Sequence, residues 1–372
     1  MIRTFIKDII IKNNYFYKKY LLQYKNTEKL ILSHIIQIDT LNDTDLDKSQ
    51  YVTFLKDNYD DVCIDYTLQD IQLLIQSEYD TIIDTNKNKL QYLLGLPQPV
   101  QRSNEWYEIR NNMLTASDLG KVIKDSRPGT KNSIVLKKCG TKSDVKLTGK
   151  ALTWGVKYEQ VANDIYSSRN NIKVYEFGLI QHQTIKHFGA SPDGISEDLV
   201  MLEIKCPYSR EINGKIPEDY YAQIQGQLEV CDLDSCDYLE CKLVEYPDYE
   251  LYKEDIDINK ENNKEYGAII EIFDIKENNV KYKYSKICPD KDELNQWRDN
   301  IIHEIIEDNN VEYNCIYYWK CDIYSCTKVY RDKVWFANIK DKLYSFWDEV
   351  LYYRENGELF DKSNLKNKTI KL

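Results

Sequence analysis

The chain has 372 residues, 42% of them hydrophobic, and a formal net charge of -11, enough material for a full core in two domains or in one large domain with an extension. No run approaches the ~20 apolar residues of a membrane span, and the opening Met1-Ile-Arg-Thr-Phe-Ile-Lys-Asp-Ile-Ile is broken by charge too often for a secretory signal. The ten cysteines include no Cys-x-x-Cys pair and the four histidines form no zinc pattern, so the thiols read as reduced, in a cytosolic or nuclear protein that is neither secreted nor membrane-bound.

Residues 1–97 read as a helical extension. Ile2, Phe5, Ile9 and Phe16, then Leu21, Leu22, Leu30 and Ile35, recur at roughly helical spacing, and Ile71, Leu74, Ile75, Tyr79, Ile82 and Ile83 do so again. The acidic stretch Asp39 to Asp70 between them holds no placed metal motif. Gly95-Leu-Pro-Gln-Pro breaks the pattern and marks a domain boundary, with residues 98–372 as the second domain.

The net charge argues at first sight against a nucleic-acid partner, because phosphate contacts need Lys and Arg. Its distribution argues the other way. Residues 101–150 carry eleven Lys or Arg against five Asp or Glu, a local +6; residues 1–100 carry eleven against fourteen, or -3, which leaves -14 for the remainder. A basic segment directly before an acidic one suits an enzyme that grips DNA beside a carboxylate site; a solvated basic loop is the plain alternative. Within that segment Arg102 to Arg110 is followed by Leu114-Thr-Ala-Ser-Asp-Leu. Thr115 or Ser117 can cap a short helix. Arg110 and Ser117 together, with free amides at a helix start, make a pocket for a terminal phosphate.

A helix is expected through residues 149–166, with Tyr158, Val161, Ala162 and Ile165 as its buried stripe and Glu159 at the margin, a candidate ligand or water anchor for a second metal. The spacing then predicts a strand over Val174–Ile180 and a hairpin from Gly189 to Pro207. Asp193 comes from the turn Ser-Pro-Asp-Gly, and residues 200–205 split with period 2 into Val200, Leu202, Ile204 on a core face and Met201, Glu203, Lys205 on a chemical one. Two hard carboxylates with no surrounding cage describe an open Mg²⁺ or Mn²⁺ site that takes phosphate oxygens and water, and Lys205 beside it can orient the water or neutralise developing charge. The implied reaction is phosphodiester hydrolysis. A surface hairpin with an exposed Glu and Lys pair is the bland reading of the same spacing.

Pro217 opens a further helix, on which Gln223 and Gln227 are i,i+4 neighbours able to touch a phosphate, a base edge or the attacking water, or to be a simple polar face. Strands are expected at Asp237–Val244 and Gly267–Phe273. The C-terminal part reads as helical elaboration: a helix near Trp297, an aromatic cluster at Tyr317-Tyr-Trp-Lys, and a last helix with Trp335, Ile339, Leu343, Phe346 and Val350 on one stripe.

Taken together, Trp106-x(3)-Arg110, Leu-Thr-Ala-Ser117, Ala-Leu-Thr-Trp-Gly-Val-Lys-Tyr-Glu159, Ser-Pro-Asp193-Gly, Leu-Glu203-Ile-Lys205-Cys-Pro and Tyr-Ala-Gln223-Ile-Gln resemble the lambda-type exonucleases, the YqaJ-like viral recombinase branch of the PD-(D/E)-x-K nuclease superfamily. The resemblance covers about residues 102–245. It implies an α/β, restriction-endonuclease-like core, a mixed central sheet flanked by helices, after the N-terminal helical extension. It implies that Asp193, Glu203 and the Ile204 carbonyl bind Mg²⁺ (or Mn²⁺), that Glu159 contributes to a second metal, that Lys205 assists the nucleophilic water, that Gln223 supports the site, and that Arg110 with Ser117 holds the 5'-phosphate of the strand being cut. Some related nucleases carry an iron-sulfur cluster, but the gaps between Cys315, Cys321 and Cys326 lack the short ligand pairs usual in such sites. The expected activity is a 5'-to-3' exonuclease that leaves 3' single strands for recombination or repair. The alternatives are a structure-specific endonuclease and a DNA-end-binding module. Candidate partners are double-stranded DNA ends, a single-strand annealing protein and further copies of the chain. The composition, rich in Tyr and poor in Gly, suits an AT-rich genome such as that of a large DNA virus, and hence a viral replication compartment in the host cytoplasm.

Overall fold

A computed structural model describes residues 68–123, 130–140 and 149–356. The helices expected before residue 68 and nearly all of the acidic stretch lie outside the described residues. The helix expected around Ile71–Ile83 is α1 (Leu68–Gly95). The chain divides into two units between Tyr92 and Leu93, inside that helix, and every candidate site residue belongs to the second.

After the end of α1, the second unit continues with α2 (Asn104–Asn111), β1 (Leu114–Thr115), α3 (Ala116–Ile123) and α4 (Thr130–Lys138), then the long α5 (Lys150–Asn170). Five short strands come next: β2 (Val174–Tyr175), β3 (Ile180–Gln181), β4 (Phe188–Ala190), β5 (Gly194–Ser196) and β6 (Met201–Lys205). Helix α6 (Glu218–Cys231) leads to β7 (Ser235–Tyr246), α7 (Tyr249–Glu261), β8 (Tyr266–Asp274), β9 (Asn279–Tyr284), α8 (Lys291–Glu307), β10 (Val311–Tyr330) and α9 (Lys333–Glu355). The main sheet runs β2-β5-β6-β7-β10-β8-β9, and β1-β4-β3 form a small second sheet. Within the main sheet β6 and β7 are parallel and every other neighbouring pair is antiparallel. A parallel pair needs a crossover, and α6 supplies it.

The fold is therefore α/β with a mixed central sheet flanked by helices, as the sequence leads one to expect. Helix α5 lays Tyr158, Val161, Ala162, Ile165 and Tyr166 against Leu202, Ile204, Leu239, Leu243 and Trp319 of the sheet. Successive residues of a strand point to opposite faces, so Glu203 faces the other way, toward α6.

Three expectations are corrected. The strand expected over Val174–Ile180 is interrupted. Gly178 donates its N–H to Gln98 Oε1 at 2.7 Å and Leu179 donates to the Pro99 carbonyl at 3.3 Å, so an upstream segment takes the bonds that a ladder would use. A Cβ on Gly178 would lie 2.1 Å from the Pro99 oxygen, which makes glycine a condition of that docking. Second, the bland reading of an exposed surface hairpin is excluded: Met201 and Glu203 are as buried as Leu202, because β5 and β7 flank β6 and α5 and α6 cover it. Third, the C-terminal part is not simply a helical elaboration. It supplies β8, β9 and the twenty-residue β10, which sits in mid-sheet between β7 and β8 and contains the aromatic cluster, with Trp319 only 1% exposed. The stripe of α9 also begins at Phe336 rather than Trp335.

Candidate active site

The β5–β6 hairpin builds the centre. Leu199 turns the chain with φ +61°, and the pairing of Gly194 with Leu202 brings Asp193 to the end of β5 beside Glu203 and Ile204. One Asp193 oxygen accepts the Ile204 N–H at 2.7 Å. Glu203 is fully buried. One of its oxygens accepts from the Lys205 ammonium and from the Gln223 amide at 2.7 Å, and the other accepts from the Gln227 amide at 2.8 Å. A buried carboxylate demands such partners, since an unpaired one would cost several kcal/mol. Gln223 and Gln227, one turn apart on α6, both bond the Glu203 carboxylate, which excludes the simple polar face for this pair.

Burial, then the nearby carboxylates of Glu203 and Glu159, push the Asp193 pKa well above the usual carboxylate range. Burial pulls the Lys205 ammonium down, but Glu203 and Asp193 outweigh it and its pKa is raised, so the cation persists throughout the physiological range. The ammonium also lies over the Tyr220 ring, 4.9 Å from its centroid.

Two clefts open over this centre. One, of about 490 Å³, is lined by Gln101, Arg102, Glu159, Glu176, Asp193 and Ile204 among others. The other, of about 540 Å³, is lined by Lys205, Tyr208, Arg210 and Tyr220, and shares Arg102, Val156, Glu159 and Ile204 with the first. Arg102, in left-handed backbone at φ +68°, places its guanidinium 2.9 Å from Glu159 at this junction. No sequence signal marks Arg102: its partner is 57 residues away.

Arg110 and Ser117 are also brought together. The guanidinium donates to Ser117 Oγ at 3.1 Å and stacks on Trp106, with Cζ 4.2 Å from the ring centroid; Thr115 Oγ1 lies 3.1 Å from the same hydroxyl. Ser117 is exposed in the first turn of α3 and is not its cap. Burial lowers the Arg110 pKa while the Asp118 carboxylate opposes the loss of charge. Lys138, drawn down to about 7 by burial, donates to the Arg110 carbonyl at 2.5 Å, and Arg354 of α9 donates to the carbonyls of Asn111 and Lys138. Together these donors satisfy the carbonyls at the end of α2 that carries Arg110. The indole N–H of Trp106 reaches Ser191 Oγ at 3.0 Å.

The donors suit a hard divalent cation: carboxylate and carbonyl oxygens, with like charges around Asp193 that such an ion relieves. Among the described residues no three Asp, Glu, His or Cys side chains are gathered into a closed cage. Glu203 is turned to Lys205 and the two glutamines, and Glu159 to Arg102. Asp193, Glu159 and Ile204 line one cleft, with Glu203 buried next to it. Cys315, Cys321 and Cys326 are spread along β10 and differ in burial from half-buried to buried to exposed.

Residues 105–234 match the family model of the YqaJ-like viral recombinase domain. The matched segment contains Arg110, Ser117, Glu159, Asp193, Glu203, Lys205 and Gln223. The chain is also 32% identical over 311 residues to protein R354 of Acanthamoeba polyphaga mimivirus, across 74% of this chain and 56% of that protein, so it spans little more than half the length of that relative. Two solved structures of LHK-Exo, an alkaline exonuclease from Laribacter hongkongensis, one of them in complex with dAMP, align at 20% identity and TM-score 0.41. They cover 68–69% of this chain and 95–96% of theirs. A phage related exonuclease from Haemophilus somnus 129PT aligns at 10% identity and TM-score 0.38, over 67% of this chain and 96% of its own. No helix among the described residues is long and apolar enough to cross a membrane.

Proposed function

We propose that this chain is a Mg²⁺-dependent nuclease that degrades one strand of linear duplex DNA from its 5' end and leaves 3' single strands for recombination or repair. The observation that carries the reading is the β5–β6 hairpin, with Asp193 and the Ile204 backbone at its mouth and Lys205 ion-paired with Glu203. Asp193, Glu203 and the Ile204 carbonyl would hold one cation, and Glu159 would contribute to a second; Mn²⁺ suits the same donors. When bound, the cation supplies Lewis-acid polarisation of a phosphoryl oxygen and a lower pKa for water. Gln223 and Gln227 fix the Glu203 carboxylate. Lys205 stays protonated and offers its charge to the pentavalent phosphate and its N–H to the attacking water. Arg110 and Ser117 receive the 5'-phosphate, which supports end recognition over an endonuclease that would share every carboxylate. The intact carboxylate and lysine set speaks against a purely DNA-binding role.

DNA ends, a single-strand annealing protein and further copies of the chain are the proposed partners, in the cytoplasm or nucleus of an infected cell or in a viral replication compartment. The test is digestion in Mg²⁺ of linear duplexes with 5'-phosphoryl or 5'-hydroxyl ends beside covalently closed circles. Preferential loss of the phosphorylated linear form is expected. Cutting of closed circles would favour the endonuclease, and no cutting would favour the binding module.

Arg102 adds a second measurable consequence. Its guanidinium competes for Glu159 with any incoming cation, and the pair is partly exposed, with side chains 47% and 35% accessible. A pair of that kind is worth ~0–1 kcal/mol. Arg102→Gln is therefore expected to tighten Mg²⁺ binding by up to about fivefold, measured by calorimetric titration of the DNA-free protein. Unchanged or weaker binding would remove Arg102 from the metal site.

A further inference from the structure

We propose that Trp106 is a positioning residue that couples the end-phosphate pocket to the carboxylate hairpin, so that a 5'-phosphate raises the turnover number as well as the affinity. The inference rests on the function proposed above. Trp106 is 9% exposed and uses two parts of its ring. The face carries the Arg110 guanidinium at 4.2 Å, and the edge donates its N–H to Ser191 Oγ at 3.0 Å. Ser191 stands two residues before Asp193, in the loop between β4 and β5. Its carbonyl accepts from Gln227 Nε2 at 3.4 Å, and the same nitrogen donates to Glu203 at 2.8 Å. The contacts Ser117, Arg110, Trp106, Ser191, Gln227 and Glu203 thus run unbroken from the hydroxyl that meets a phosphate to a carboxylate of the centre.

Packing alone does not require this arrangement. Trp106 belongs to a small cluster with Met113 and Leu179, which accounts for the burial of its ring. It accounts neither for a cation on the face nor for a hydrogen bond aimed at the loop that presents Asp193. A phosphate that meets Ser117 and Arg110 displaces a guanidinium that lies over the indole ring. The indole can then shift only with the Ser191 loop, because its N–H is committed there.

The test uses Trp106→Phe, which keeps an aromatic face beneath Arg110 and deletes the N–H. Turnover number and KM are measured on duplexes with 5'-phosphoryl and 5'-hydroxyl ends. The ratio of the two turnover numbers is expected to fall about tenfold, the loss of one well-placed hydrogen bond, while KM for phosphorylated ends stays within about twofold. Ser191→Ala breaks the same bond from the other side with the tryptophan in place, so it serves if Trp106→Phe fails to fold. It should give the same change in ratio, and the double variant should be no worse than either single one. A tryptophan that only fills space would lower both turnover numbers by one factor and leave their ratio intact; that result, or an additive double variant, overturns the coupling. If the unaltered protein cuts both ends at equal rates, end recognition itself fails. If it discriminates and both single variants discriminate equally well, the coupling alone fails.

Discussion

Lys205→Ala is expected to slow phosphodiester cleavage by roughly 10²- to 10³-fold, the scale for removing one preorganised charge from a transition state, while binding to DNA ends changes by no more than a few-fold. The asymmetry follows from where the ammonium sits. It is 22% exposed, paired with the buried Glu203, and held over Tyr220, so it serves the centre more than the outer surface. Glu203 keeps the Gln223 and Gln227 amides in the variant, which protects the fold from an unpaired buried carboxylate. Single-turnover digestion reads the chemistry, and fluorescence anisotropy with end-labelled duplex in the absence of divalent ions reads binding. Cleavage at the unaltered rate would show that the active-site assignment is wrong.

Arg110→Ala is expected to erase the preference for 5'-phosphoryl over 5'-hydroxyl ends by about 10- to 100-fold, the worth of hydrogen bonds to a charged group at ~1.5–3 kcal/mol. Arg110 is two-sided in the structure, stacked on Trp106 and bonded to Ser117. Arg110→Lys keeps the charge and loses the planar fork and the stacking, so it should recover part of the preference only. The pair of variants separates charge from geometry. Competition between the two duplexes in one reaction measures the ratio directly, and a ratio unmoved by Arg110→Ala would place the end-phosphate site elsewhere.

The geometry of the candidate site was legible in the sequence where it is local. Asp193, Glu203 and Lys205 lie within one hairpin, and period-2 alternation with a Ser-Pro-Asp-Gly turn is enough to assemble them. Gln223 and Gln227 were legible as a pair on one helix face, though only the folded chain shows both committed to Glu203. Arg102 with Glu159, and Trp106 with Ser191, could not be read, because those bonds span 57 and 85 residues and no local pattern encodes them. Strand β10 was missed for another reason. Asn314, Lys320, Asp322, Ser325 and Lys328 break its hydrophobic alternation, since its two halves face different neighbours: Val311–Lys320 pairs with β8 and Tyr318–Tyr330 with β7. The interruption at Gly178 hid because the chain that docks there, Gln98-Pro99, comes from far upstream.

The place of β10 bears on how the molecule matures. Once synthesis has reached Tyr246, every residue assigned to chemistry has been made, yet β7 still lacks the neighbour it has along its whole length, from Ser235 to Tyr246, opposite residues 318–330. Long-range antiparallel pairing of this sort closes late and slowly. A nascent chain therefore holds its carboxylates before it holds the wall behind them, and the sheet around the candidate site is completed only after residues 311–330 have left the ribosome.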